Sequence, residues 1–446
     1  MSMLLGDGWW KRRWSAGTAA QAGDGRWERC MSCGPERSNP CTKRRVRLAY
    51  LVSHPIQYQA PLLRRIAEEP DIDLTVFFGS DFSVRGYRDE GFGVGVKWDI
   101  PLLDGYRHEF LPRLRDRGTV SVASPLNYGI VSRLRGEGGD AAFDALWVHG
   151  YATANAMHGI LAAKALGIPV LLRAEGWLGD RERSGVRLAL KRAMFAGLKL
   201  LVDGVLPIGR LNEEYWRTYF GDEVAQFPMP YAVDNGYFAE RARQAQTGRA
   251  SLQAELGLDP ARPVVLFAGK LQTRKHCDHL IEAYRRLSRG AGEEPGPVLV
   301  IVGDGEERAA LERQAAATGF GGIRFCGFRN QSEMPRFFDL ATVFVLPSRH
   351  EPWGLIVNEV MNAARPAIVS DDVGCAPDLI DDGDNGCIVP VGDVDALTQA
   401  LERVLEPGVA EAMGQRAFER IQSWSFEEDV QGLRQALEHV APGFVA

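Results

Sequence analysis

Two pairs of charged residues stand out by type and spacing. Glu351 and Glu359 lie eight positions apart in R-H-E-P-W-G-L-I-V-N-E-V, on either side of a Pro-Trp-Gly bend. Lys270 and Lys275 bracket K-L-Q-T-R-K, with Arg274 beside the second lysine. Carboxylates accept hydrogen bonds from hydroxyls, and clustered cations neutralise phosphate oxygens. If Pro352 and Gly354 open a helix through L-I-V-N-E-V-M-N-A-A, Glu351 precedes that helix and Glu359 falls one to two turns inside it. The two acids can then meet opposite ends of one extended ligand, with the free N–H groups of the helix start between them. Read alone, the lysine pair fits a solvated surface run better than a site, and the neighbouring acids are what give it a role.

Such a site needs strand ends to carry it. V-F-V-L-P-S is a short buried-strand run just before Glu351, and V-V-L-F-A-G is another just before Lys270. They belong to a series, V-V-L-F-A-G, V-L-V-I-V-G, I-R-F-C-G, V-F-V-L-P-S, P-A-I-V-S and G-C-I-V-P, interleaved with helical segments. A first series precedes it: V-R-L-A-Y-L-V, I-D-L-T-V-F-F-G, A-L-W-V-H-G, I-P-V-L-L-R-A-E-G and D-G-V-L-P-I-G. Alternation of this kind predicts an α/β protein with two doubly wound parallel sheets and a ligand cleft at the carboxyl ends of their strands. The expected division is a leader over residues 1–45, an N-terminal domain over 46–245, a C-terminal domain over 246–420, and a terminal helical segment over 421–446 that crosses back to the N-terminal domain.

Composition narrows the function. At 446 residues the chain exceeds what one hydrophobic core supports. A net charge of -6 gives no footprint for nucleic acid. No apolar run approaches the ~18 residues of a spanning helix, and the first residues lack a signal-peptide pattern, so the expected location is the cytoplasm. The seven cysteines, an odd number, do not suggest a disulfide framework. Cys30, Cys33 and Cys41 are one ligand short of a structural zinc site and read as incidental thiols of the leader. Neither a dinucleotide fingerprint nor a Walker A pattern occurs, which counts against nicotinamide chemistry and ATP hydrolysis. V-G-D-G-E-E-R is weak evidence for a phosphate loop, and turn chemistry accounts for it as well. The two Asp-x-Asp matches, at Asp71 and Asp73 and at Asp393 and Asp395, read as surface turns.

From about Val264 to Asp395 the chain resembles the donor half of the retaining glycosyltransferases of family four (glycosyl transferases group 1), which have the GT-B architecture of two facing Rossmann-like domains. The resemblance rests on Gly269-Lys270 followed by Lys275, on V-G-D-G-E-E and R-F-C-G-F, on E-P-W-G-L-I-V-N-E, and on P-A-I-V-S-D-D-V-G-C with D-D-G-D-N-G-C-I-V-P. It implies that Glu351, with the backbone at Trp353, Gly354 and Leu355, holds donor-sugar hydroxyls. Glu359 would bind the ribose, Lys270 and Lys275 the diphosphate, and Phe328 would pack near the base. His149 corresponds to a histidine presented to the donor sugar. His54, Gln57, Arg173 and Glu175 are weaker candidates for acceptor or cleft contacts. Two positions depart from the family pattern: Lys270 replaces the commoner arginine, and Cys375 replaces the second glycine of a Gly-Gly pair.

The implied activity is that of a retaining, hexosyltransferase-type enzyme moving sugar from a nucleotide-diphosphate sugar to a hydroxyl on a glycan or lipid-linked glycan. It needs no dedicated nucleophile, since the leaving diphosphate helps deprotonate the acceptor, and no metal or cofactor beyond the donor, since Lys270, Lys275 and the helix terminus supply the positive potential. A sugar-nucleotide epimerase, a phosphorylase on the same fold and a non-catalytic sugar-nucleotide-binding protein are the alternatives. R-E-R-S-G-V-R-L-A-L-K-R-A-M-F-A-G-L-K-L-L, with Arg181, Arg183, Arg187, Lys191, Arg192 and Lys199, reads as a solvated helix covering the first sheet, or else as a peripheral contact with an anionic membrane surface.

Overall fold

The computed structural model describes residues 45–442, apart from 90, 137–140, 180–184 and 291–295. The leader, its three cysteines, and Arg181 and Arg183 therefore lie outside the described residues.

The N-terminal half contains β1 (Val46–Val52), β2 (Ile72–Phe78), β3 (Tyr87–Arg88), β4 (Gly95–Val96), β5 (Arg107–Phe110), β6 (Arg113–Arg115), β7 (Leu126–Asn127), β8 (Ala145–His149), β9 (Val170–Arg173), β10 (Gly204–Val205) and β11 (Ala225–Gln226). Seven of these form a parallel sheet in the order β5-β2-β1-β8-β9-β10-β11. The short pairs β3-β4 and β6-β7 are antiparallel and stand apart. The C-terminal half contains β12 (Val264–Ala268), β13 (Val298–Val302), β14 (Ile323–Phe325), β15 (Val343–Leu346), β16 (Ala367–Ser370) and β17 (Gly386–Val389), in the parallel order β14-β13-β12-β15-β16-β17. Every residue of β12, β13 and β15 is buried. These strands are covered on both faces, and so they read as unbroken apolar runs rather than alternating ones.

Strand order reverses between β1 and β8 in the first sheet and between β12 and β15 in the second. The loops leaving a parallel sheet at such a point part to opposite faces and leave a crevice.

The chain passes between the halves around Met229–Asp234, nearer Val233 than the expected Ala245. The helix Asn235–Ala245 already packs on the C-terminal half, with Phe238 against Phe338 and Asn235 donating to the Ile421 carbonyl. The return is made by the helix Phe426–Val440, which starts at a capping box of Ser425 and Glu428. Its Asp429, Glu427 and Arg434 pair with Arg173, Arg65 and Asp71 of the N-terminal half. Trp424 stacks on Trp353 at 5.7 Å and donates to the Tyr231 carbonyl, which also accepts from Asn358. The connection around Tyr231 is thus pinned from both sides.

The Asp-x-Asp matches have structural uses: Asp71 pairs with Arg434, Asp73 with Arg107 and Asp395 with Arg286, while Asp393 caps the helix Val394–Val404.

Candidate active site

Four strand ends converge. β1 runs into Ser53–Tyr58, β8 ends at His149, β12 runs into Gly269–Lys275, and β15 leads to Arg349–Glu351. They flank the two order reversals; those of β1, β12 and β15 open on a cavity of about 340 Å³, and that of β8 lies beside it. Gly269, Lys270, Lys275, Phe328, Glu351, Gly354, Leu355 and Glu359 line it from the C-terminal half, and Gln57, Tyr58, Phe92 and Trp98 from the N-terminal half.

Gly354 takes a left-handed conformation (φ 92°) and begins the helix Leu355–Met361, which carries Glu359 into the cavity wall. The Trp353 side chain is 3% exposed, stacks on Trp424 and donates to Asn358, and its carbonyl accepts from the Cys375 N–H, so Trp353 anchors the turn and does not itself line the cavity. A Cβ on Gly374 would sit 2.0 Å from the Pro352 carbonyl oxygen, so this glycine lets two chain segments cross beside Glu351. Cys375 has an ordinary right-handed conformation (φ -81°) and is fully buried, so the loss of the second glycine leaves no strain in the backbone path there. In V-G-D-G, a Cβ on Gly303 would lie 1.9 Å from the Gly269 carbonyl oxygen. Close crossing of two strand-end loops therefore explains that glycine.

The charges are arranged in pairs. Lys275, 8% exposed, donates to Glu351, and Arg274 lies 3.5 Å from the same carboxylate oxygen. Lys270 donates to both oxygens of Asp89 at 2.8 and 3.0 Å. Burial works against the charge of Asp89, but Lys270 and the N–H groups of Phe92 and Gly91 more than offset it and hold the carboxyl below its usual range. Glu359 differs: among the described residues no protein group donates to its carboxylate, and burial pushes it up to about 8. It is a half-buried acid facing the cavity without a partner.

His149, His54 and Glu175 do not line this cavity. They form a neighbouring cluster joined to it by Tyr58, whose hydroxyl donates to Glu175 at 2.8 Å, as does that of Tyr231 at 2.5 Å. His149 Nε2 is 3.9 Å from Glu175, its Nδ1 is buried without a partner among the described residues, and burial, with the charge of Arg173, lowers its pKa to about 3. His54 shares a hydrogen bond with Ser53 at 2.8 Å, packs on Phe82, and is lowered by burial to about 4. Both imidazoles are neutral near pH 7.

Arg173 is not a cleft residue. It is 1% exposed, donates to the carbonyls of Met229 and Pro230 and to Asp429, and lies over the ring of Tyr231 at 4.7 Å. Its strand end faces the C-terminal helix, and the guanidinium ties that helix and the interdomain connection to the sheet.

Asp89, Phe92 and Trp98 were not found by sequence reasoning. Their strands are two residues long and show no apolar period, although the glycine-rich G-Y-R-D-E-G-F-G-V-G carries a turn signal. Among the described residues, His276, Asp278 and His279 bring metal-ligand atoms within 4.8 Å of one another. The Arg349 guanidinium, directed at His276 Nε2 from 3.4 Å, opposes a cation there.

Residues 249–420 match the family described as "Glycosyl transferases group 1". The alpha-D-kanosaminyltransferase of Streptomyces kanamyceticus is 35% identical over 198 residues, covering 43% of this chain and 50% of that protein. The lipopolysaccharide core biosynthesis glycosyltransferase LpsE of Rhizobium meliloti is 35% identical over 163 residues, covering 36% and 45%. The chain thus spans about half the length of these curated relatives. Among solved structures, Anabaena Alr3699/HepE in complex with UDP superposes with a TM-score of 0.65 at 15% identity, covering 88% of this chain and 99% of that one. That likeness shows the shared GT-B fold.

Proposed function

We propose that this chain, a group 1 glycosyl transferase through residues 249–420, transfers a hexosyl unit from a nucleoside-diphosphate sugar to a hydroxyl of a glycan or lipid-linked glycan, with retention of configuration. The observation that carries the reading is the single cavity at both order reversals, into which two lysines, a paired acid and an unpaired acid converge. Lys270, Lys275 and Arg274 supply positive charge where a diphosphate leaves, the electrostatic term that usually dominates such chemistry. Glu351, held by Lys275, faces the sugar hydroxyls, and Glu359 accepts from the ribose. The C1–oxygen bond to the diphosphate breaks as the acceptor oxygen bonds C1 on the same face, and the acceptor proton passes to the leaving phosphate oxygen. His149, uncharged, donates or accepts at a sugar hydroxyl without repelling developing positive charge on the ring. The names of the relatives and the UDP in the HepE complex support this reading.

A panel of nucleotide sugars tested by thermal shift, followed by turnover with and without a sugar acceptor, checks it. One nucleotide sugar should raise Tm, and an acceptor-dependent product should form with retained configuration. Isomerised sugar nucleotide without acceptor indicates the epimerase alternative, and phosphate-dependent turnover the phosphorylase. Binding without any turnover indicates a non-catalytic binder.

A peripheral membrane contact on the cytoplasmic side is favoured by one surface. In the helix Gly185–Lys199 only Phe195 and Leu198 are buried. Val186, Leu190 and Met194, four residues apart and so on one face, are 73%, 67% and 50% exposed, with Arg187 exposed beside them. This helix covers little of the sheet, and its apolar stripe edged by Arg187 fits an anionic leaflet. No helix among the described residues is long and apolar enough to cross a membrane. Flotation with anionic vesicles at low salt should carry the protein upward, and failure to do so removes the idea.

A further inference from the structure

Phe328, beyond the end of β14, lies at the opposite end of the cavity from Glu351, which follows β15; Lys270 and Gly303, at the ends of β12 and β13, come between. A nucleotide whose diphosphate lies on the lysines and whose ribose meets Glu359 therefore has its base near Phe328. The ring of Phe328 is not alone there. Phe92, in the turn between β3 and β4, meets it edge-on with centroids 4.9 Å apart, and Trp98 approaches at 6.5 Å. All three rings line the cavity, and none is fully buried. The segment is fastened across the cleft: Asn330 donates to the Lys97 carbonyl at 2.7 Å, and Ser332 bonds Asp99. In the same turn Asp89 places a carboxylate on Lys270, whose ammonium also lies 5.0 Å from the Phe92 ring. A carboxylate bound through both oxygens occupies the place a phosphate oxygen would take.

Building on the donor assignment above, we propose that three residues of the N-terminal half, Asp89, Phe92 and Trp98, are donor-site residues. Phe92 and Trp98 form with Phe328 the surface on which the nucleobase packs, and Asp89 is the resident counter-ion that the diphosphate displaces from Lys270. A base has a π face whatever its identity, and packing on aromatic rings holds it while edge contacts select it. Donor recognition is then shared across the cleft: binding of the base draws on both halves, and binding of the phosphates removes one of the charge pairs between them.

Titration calorimetry of the full chain with a nucleoside diphosphate and with inorganic pyrophosphate tests this. Phe92→Ala and Trp98→Ala should each weaken the nucleoside diphosphate about 10-fold, in line with loss of one aromatic packing partner, and leave pyrophosphate binding in place. Asp89→Asn should strengthen both ligands severalfold by freeing Lys270. Phe92→Leu and Trp98→Phe, with Tm as the folding control, serve if an alanine variant fails to fold; Phe92→Leu should also weaken the nucleoside diphosphate selectively, and Trp98→Phe should largely retain it. If folded Phe92 and Trp98 variants bind the nucleoside diphosphate like the wild type, the inference falls while the donor assignment stands. If the wild type binds no nucleoside diphosphate, both fall.

Discussion

The two halves carry their polar groups in opposite states. At the C-terminal strand ends the groups are charged and near the surface of the cleft: Lys270, Arg274, Lys275 and Glu351. At the N-terminal strand ends His54 and His149 are lowered to about 4 and 3, and the phenols of Tyr58 and Tyr231 are raised well above their ordinary value by burial. The C-terminal half brings cations to the cleft, and the N-terminal half brings mainly neutral hydrogen-bonding groups, with the carboxylates of Asp89 and Glu175 among them. A diphosphate sugar needs both, since its phosphates carry charge and its sugar carries hydroxyls. The one fully buried charge pair of the N-terminal half described above, Arg173 with Asp429, is turned away from the cleft. Charge in that pair serves cohesion.

That contrast breaks most visibly at Arg173. Arg173→Met leaves Asp429 buried without a partner, which costs roughly 3–5 kcal/mol and should lower Tm by roughly 5 °C. Nucleotide affinity of the protein that remains folded should be unchanged. Arg173→Met with Asp429→Leu should recover most of the Tm, because an apolar pair removes both desolvation costs. A specific loss of nucleotide affinity in the single variant would return Arg173 to the cleft and end the contrast. The complementary change is Lys275→Ala. With Arg274 still near Glu351, its effect on Tm should be small, whereas turnover should fall roughly 10²–10³-fold through loss of a cation at the leaving group. Steady-state kinetics beside a melting curve separates the two outcomes.

The same contrast explains what could be read from the sequence. β12, β13 and β15 are short apolar runs, each followed by a loop at the cavity, so period and position pointed to Lys270, Lys275, Glu351 and Glu359 together. The N-terminal half interposes β3 to β7 between β2 and β8, with strands of two to four residues whose side chains are mostly exposed or half-exposed. Such pieces carry no apolar period, and their contacts with the other half, Asp89 on Lys270 and Phe92 on Phe328, join residues far apart in sequence. Arg173 misled for a related reason. Its place at the end of β9 suggested the cleft, and only the return of the helix Phe426–Val440 shows which way it faces.

A smaller effect is expected at His149. If the N-terminal half contributes neutral hydrogen bonds to the sugar, His149→Ala should lower turnover roughly 10–100-fold, the range for a lost hydrogen bond in a dry site. Affinity for the nucleoside diphosphate, which lacks the sugar, should not change. Because the imidazole is already neutral above about 3, its titration contributes nothing to the pH profile between 5 and 9. A variant that weakens the nucleoside diphosphate as much as the nucleotide sugar would place His149 on the phosphates instead.

The effect at Glu359 is a matter of pH, and in any one unit it is small. Its folded value of about 8 lies above the ~4.3 of a free glutamate, so between those limits the folded protein binds the extra proton. Stability without ligand must therefore fall as pH rises through that window, by up to ~1.4 kcal/mol per unit. Glu359→Gln should remove the slope and melt higher than the wild type at pH 8. Binding runs the other way. Only the ionised acid accepts two ribose hydrogen bonds, and at pH 7 about one molecule in ten is ionised, so affinity should rise about tenfold from pH 7 to 9. A nucleotide sugar is the right probe, because its diphosphate is esterified at both ends and keeps a constant charge over this range. Glu359→Gln should bind it with no such slope. A slope that survives the substitution would assign the titration to another group and separate Glu359 from the ribose.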